Sequence, residues 1–110
     1  MQDDLKKILE FRDKRNWKRF HLPKNIAISL VLEANELLEI FQWSEDNNLP
    51  LNKKKALSHE LADVYYYLLL LAYEAKIDLK KAFKEKMRIN NKKYPIKKAK
   101  GKSVKYTEFI

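Results

Sequence analysis

Cysteine is absent and glycine occurs once, at Gly101, in a chain of 110 residues. Without thiols there is no thiolate zinc site, no cysteine nucleophile and no disulfide scaffold. Without clustered glycines there is neither a phosphate-cradling loop nor a dinucleotide-binding fingerprint. Chemistry is left to carboxylates, amines, imidazoles and hydroxyls. Long apolar runs are missing too: the longest, Val64 to Tyr73, is about half of the roughly 20 residues that a membrane-spanning helix needs. The opening Met-Gln-Asp-Asp-Leu-Lys-Lys puts acids ahead of any apolar stretch. It lacks the basic-then-apolar layout of a signal peptide, so the cytoplasm is the expected location.

What is present is charge and helical periodicity. Lys and Arg number 24 against 15 Asp and Glu, a formal charge of +9 on a chain long enough for one domain. Pro23, Pro50 and Pro95 supply most of the punctuation, and the segments between them repeat apolar residues at helical steps, which predicts an all-α fold. A first helix is expected from an N-cap at Asp3 or Asp4 through Leu5, Ile8, Leu9 and Arg12, fading near Trp17. Phe20 to Asn25 reads as a short connection. A second helix follows through Ile26, Leu30, Ala34, Leu37 and Phe41 to about Trp43.

The polar stretch Ser44 to Asn52, with Asn47, Asn48 and Pro50, separates it from a third helix carrying Leu57, Leu61, Val64, Leu68 and Leu71. The second and third helices are expected to lie antiparallel. Both are apolar on further faces as well, at Ile28, Val31 and Leu32 and at Tyr66, Leu69, Leu70 and Tyr73. Four short helices in one monomer cannot easily cover such surfaces, which predicts an oligomer. Asp78 begins a fourth helix through Phe83 and Met87 to about Asn90, and Pro95 is expected to end regular structure. The resulting division is a helical domain over 1–95 and a basic tail over 96–110; Asn91 to Ile110 holds seven lysines, with little apolar content before Val104.

The feature that carries chemistry is Glu33-Ala-Asn-Glu36 on the second helix with Glu60-Leu-Ala-Asp63 on the third. At a spacing of three, the members of each pair leave one side of their helix about a turn apart, so four acids can meet between antiparallel helices. They stand beside the apolar stripe, flanked by Leu37, Phe41, Leu61 and Val64, and an isolated buried carboxylate is too costly to go unpartnered. Solvated acids with lysine neighbours would be the ordinary alternative. However, Ile26 to Glu39 contains three acids and no base, which leaves Glu33 and Glu36 without local ammonium partners. A cation is the natural partner, and an all-oxygen donor set favours Mg²⁺ or Mn²⁺ over zinc. A helical di-iron centre would want Glu-x-x-His pairs, and none occurs; His59 points about 100° away from Glu60.

Trp43 lies two turns beyond Glu36, and Tyr67 one turn beyond Asp63. Aromatic planes beside a metal–phosphate site can stack a nucleobase, although core packing is the commoner fate of such residues. Lys86 and Asn90, one turn apart on the fourth helix, can meet phosphate oxygens. A competing class is a non-catalytic basic helical module that binds nucleic acid through the lysine-rich end, with Tyr94 and Tyr106 interleaved. It leaves the acid pairs unexplained, because their charge repels phosphate, and so nucleic acid is not the expected partner. A third class is a structural helical oligomer whose acids close interface salt bridges.

At these residues the sequence resembles the MazG-like all-α nucleoside triphosphate pyrophosphatases, most closely their dCTP pyrophosphatase branch. The likeness runs through Trp17-Lys-Arg-Phe-His-Leu-Pro-Lys-Asn25 and Glu33-Ala-Asn-Glu36-Leu-Leu-Glu-Ile-Phe-Gln-Trp43. It continues in Glu60-Leu-Ala-Asp63-Val-Tyr-Tyr-Tyr67, Ile77-Asp-Leu79, Lys86-Met-Arg-Ile-Asn90, Lys93-Tyr-Pro95 and Lys105-Tyr-Thr-Glu108. The resemblance implies a four-helix bundle completed by oligomerisation, commonly a tetramer built as a dimer of dimers. It implies an enzyme that hydrolyses a (deoxy)nucleoside triphosphate, foremost dCTP or a related pyrimidine nucleotide, to monophosphate and pyrophosphate, as housecleaning of the nucleotide pool. Glu33, Glu36, Glu60 and Asp63 would hold Mg²⁺. Trp17, Trp43 and Tyr67 would line the base and sugar pocket, with His21 packing at the site, and Lys86 and Asn90 would meet phosphates. The first helix contributes to the pocket in such enzymes, but Ile8 to Arg15 offers no match. Glu36 is the candidate to orient or deprotonate the attacking water.

Overall fold

The computed structural model describes residues 2–43, 49–103 and 107, with the backbone alone at Leu51. Asn47, Asn48, Val104 and Tyr106, singled out above, lie outside the described residues. Five α-helices follow in order: α1 (Gln2–Lys14), α2 (Pro23–Gln42), α3 (Lys54–Glu74), α4 (Leu79–Lys93) and α5 (Ile96–Ala99). Short 3₁₀ turns at Lys18–Phe20 and Leu51–Lys53 lead into α2 and α3. No strand occurs among the described residues. None of the described helices is long and apolar enough to cross a membrane.

Local chemistry explains the ends. Asp3 and Asp4 occupy the first turn of α1 and Arg12 and Lys14 the last, each sign set against the opposite end of the helix dipole. Asn16, at φ 56°, then turns the chain through the left-handed region, which Asn tolerates better than most residues. α2 starts three residues earlier than the apolar pattern suggests. Pro23 takes its first turn, where a missing N–H costs nothing, and the Ile26 amide donates to the Leu22 carbonyl at 3.0 Å.

α3 ends in a Schellman arrangement. The Ile77 amide donates to Ala72 O and the Lys76 amide to Tyr73 O, with Lys76 at φ 58°. A lysine therefore occupies a position that usually goes to glycine. Asp78 caps α4 as expected, accepting from the Lys81 amide at 3.2 Å. Regular structure does not stop at Pro95. Proline is extended there (φ −61°, ψ 144°) and serves as the N-cap of the single turn α5, a role in which its missing N–H is harmless.

The chain divides into two compact units, Met1–Ile77 and Asp78–Ile110. In the first, α2 and α3 form an antiparallel hairpin. Ser29 shares a hydrogen bond with Tyr67, while Glu36, further along α2, meets Glu60, earlier on α3. Ile26 and Leu70 are fully enclosed and Leu69 and Ile8 nearly so, each worth about 1.5–3 kcal/mol of burial. α1 is fastened to α3 at both ends. Tyr65 Oη donates to Asp4 Oδ2 at 2.7 Å, and the buried Arg12 donates from Nη1 to Glu74 Oε1 at 2.7 Å. Much apolar surface stays exposed, including Ile28, Val31, Leu32 and Leu38 on α2 and Leu61 and Tyr73 on α3. The second unit consists of α4, α5 and the residues that follow them.

Candidate metal and nucleotide site

Glu33 and Glu36 project one turn apart from α2, and Glu60 faces them from α3. Carboxylate oxygens of all three lie within 4.8 Å of one another. The Glu33 carboxyl is pushed up to about 7, first by burial, then by the neighbouring Glu36 carboxyl and the charges of Glu36, Asp63 and Glu60. Glu60 is raised as well, by burial and by Glu36.

Among the described residues none of these three acids has an ion pair. The ion pairs of Arg12 go to Asp13 and Glu74 instead. Glu33 Oε2 and Glu60 Oε2 are both buried with no hydrogen-bond partner. Orphaned carboxylate oxygens on facing helices, in a cluster made only of oxygen donors, fit a hard divalent metal ion. Asp63 is exposed and falls outside the group of three, although its charge helps to raise both Glu33 and Glu60.

Next to the acids opens a cavity of about 400 Å³, walled by Glu33, Asp63, Tyr66 and Tyr67 from the hairpin and by Trp17 and His21 from the connection. α1 supplies Lys7, Ile8 and Phe11. Four aromatic rings line it edge to face: Phe11 stands 5.7 Å from Trp17 and 6.3 Å from Tyr66, and Tyr66 stands 5.0 Å from Tyr67. The Arg15 guanidinium lies over the Phe11 ring at 3.6 Å from its centroid. His21 lines the cavity with its Nδ1 buried and unpartnered among the described residues, and burial followed by the Arg12 charge lowers its pKa, so the ring is neutral at pH 7. An acid cluster that could hold a metal ion thus adjoins an aromatic cavity, a combination suited in shape and charge to a molecule with a flat ring at one end and anionic oxygens at the other.

The MazG-like family pattern matches residues 28–109. The chain belongs to the MazG-like family. It is similar to the mouse and human dCTP pyrophosphatase 1 proteins, 38% and 39% identical over 112 aligned residues that cover 96% of this chain. The same alignments cover 66% of the relatives, so the chain spans just under two thirds of their length. A crystal structure of a pyrophosphatase from Archaeoglobus fulgidus superposes with a TM-score of 0.80 at 43% identity, covering 86% of this chain and 92% of that one.

In this MazG-like chain the structure brings Glu33, Glu36 and Glu60 together, and sets Trp17, His21 and Tyr67 around the adjoining cavity. Trp43 is not part of that lining; it stands 87% exposed at the C-terminal end of α2. Lys86 and Asn90 stand on α4 in the second unit. Sequence reading missed Lys7, Ile8, Phe11 and Tyr66. Lys7, Ile8 and Phe11 share one side of α1 at i, i+1 and i+4, a spacing visible in the sequence, but an ordinary amphipathic helix has the same pattern.

Proposed function

We propose that this protein is a divalent-metal-dependent nucleoside triphosphate pyrophosphatase, acting on dCTP or a related pyrimidine deoxynucleotide to give the monophosphate and pyrophosphate. The observation that carries this reading is the juxtaposition of the partnerless Glu33 and Glu60 oxygens with the aromatic cavity. The similarity to dCTP pyrophosphatases supports the substrate class.

Glu33, Glu36, Glu60 and Asp63 would hold Mg²⁺ or Mn²⁺. When bound, such an ion neutralises phosphate charge and acidifies water. The residues do the rest. Trp17, Phe11, Tyr66 and Tyr67 clasp the base and exclude water from its faces. Neutral His21 packs at the cavity wall. Glu36, the exposed member of the cluster, takes a proton from a water aligned with the α-phosphorus. The water oxygen bonds to phosphorus, the bridging P–O bond breaks, and its electron pair leaves with pyrophosphate.

Lys86 and Asn90 keep their proposed role toward phosphate, and the activity is assigned to residues 1–95. The exposed apolar faces of α2 and α3 support a homo-oligomer, which sedimentation equilibrium measures directly. Binding of a non-hydrolysable α,β-imido dCTP, followed by Trp17 fluorescence in a Trp43→Phe background, tests the site. Metal-dependent quenching that Glu60→Gln abolishes is the predicted result. Quenching that is the same with and without metal would refute the arrangement.

A further inference from the structure

Charge is divided unevenly between the two units. Residues 1–77 hold 12 of the basic side chains and 12 acids, while residues 78–110 hold the other 12 with only three acids, so the entire formal +9 belongs to the second unit. The acid pairs therefore do not weigh against a polyanion bound by that unit.

On α4 the cations are also ordered. At 100° per residue, Lys80, Lys84, Arg88, Lys81 and Lys92 fall within an arc of about 120°, and they run about 18 Å along the axis. All five are exposed. Arg88 pairs with Glu85 at 2.6 Å in a solvent-facing contact that salt weakens. The four lysines have no acid partner among the described residues.

We infer that this face of α4 is a docking surface for the phosphate backbone of double-stranded nucleic acid. The only other residue in the arc is Asn91, so the face offers no ring for stacking exposed bases, as single-strand binding requires. Four of its five cations are lysines, compact point charges suited to phosphate oxygens rather than to base edges, and Arg88 is engaged by Glu85, so binding is expected to be largely independent of sequence. A bilayer fits less well, because the apolar side, Leu79, Phe83 and Met87, is interrupted by Asn90 and flanked by Lys86 and Lys80, which leaves only a narrow face to insert. The inference stands apart from the pyrophosphatase reading, since none of the five cations belongs to that site.

The test is fluorescence anisotropy of the full chain with a labelled mixed-sequence 20-base-pair duplex across 50–200 mM salt. Five neutralised phosphates predict a log–log slope of about −4.5, a loss of affinity of about 500-fold over that range. The triple variant Lys80→Gln, Lys84→Gln, Lys92→Gln, with helix content checked by circular dichroism, should flatten the slope to about −2. A second duplex of unrelated sequence should bind equally. No binding of the native chain at 50 mM salt, an unchanged slope in the folded variant, or tighter binding to anionic phospholipid vesicles than to duplex would overturn the inference.

Discussion

Glu33 and Glu60 reach toward each other from antiparallel helices, bring carboxylate oxygens within 4.8 Å, and each keeps a buried Oε2 that nothing in the fold satisfies. Folding alone does not favour that arrangement, since like charges this close oppose it. Removing one charge therefore helps the metal-free protein and harms the metal-bound one. Glu60→Gln should raise the melting temperature without metal by about 3 °C and lose the further rise that Mg²⁺ gives the native chain. A lower melting temperature in both conditions would show that the acids support the fold instead.

The pH response follows from Glu33. Its folded pKa of about 7 lies above the ordinary carboxyl value, so the folded metal-free protein holds the proton more tightly than the unfolded chain does. This contribution to stability is fully present below about pH 4.3 and is lost as pH rises through 7. Metal binding requires the deprotonated form. Mg²⁺ affinity by calorimetry should climb up to about tenfold per unit between pH 5 and 7 and level off above. An affinity that is flat across pH 5–8 would remove Glu33 from the ligand set.

Arg12 and Glu74 clamp α1 over the cavity, with the Arg12 side chain only 3% exposed. Glu74→Ala leaves a buried guanidinium with Asp13 alone and should cost about 3 kcal/mol in urea unfolding. The loosened α1 wall, with Lys7, Ile8 and Phe11, should raise KM more than it lowers kcat. A change below about 0.5 kcal/mol would mean that the pair is incidental.

Lys76 bears left-handed strain at the end of α3, at φ 58°. Lys76→Gly should stabilise the protein by about 1 kcal/mol, read as a shift of the urea midpoint at constant slope.

Much of this architecture was legible in the sequence because helices announce themselves by period. α3 and α4 fall where Leu57–Leu71 and Asp78–Asn90 placed them, and Glu33, Glu36 and Glu60 come together because i, i+3 spacing on two antiparallel helices directs them to the same seam, while Asp63 stays outside the group. What period cannot reveal is which amphipathic helix walls a pocket. α1 looked ordinary, and its role rests on Arg12–Glu74 and Tyr65–Asp4, pairs 62 and 61 residues apart in sequence. Trp43, which shares a helical face with Glu36, is the C-cap of α2 and stands exposed there. Pro95 misled because a residue that ends one helix can also start the next.

The central claim is a metal-dependent pyrophosphatase site built on Glu33 and its neighbours. Pyrophosphate release from a panel of deoxynucleoside and ribonucleoside triphosphates, with and without Mg²⁺, tests it directly when the native chain is compared with Glu33→Gln and Asp63→Asn. Release should need metal, favour dCTP or a related pyrimidine nucleotide, and fall at least 100-fold (~3 kcal/mol) in Glu33→Gln. Release that persists in chelator, or equal turnover by the native chain and both variants, would contradict it.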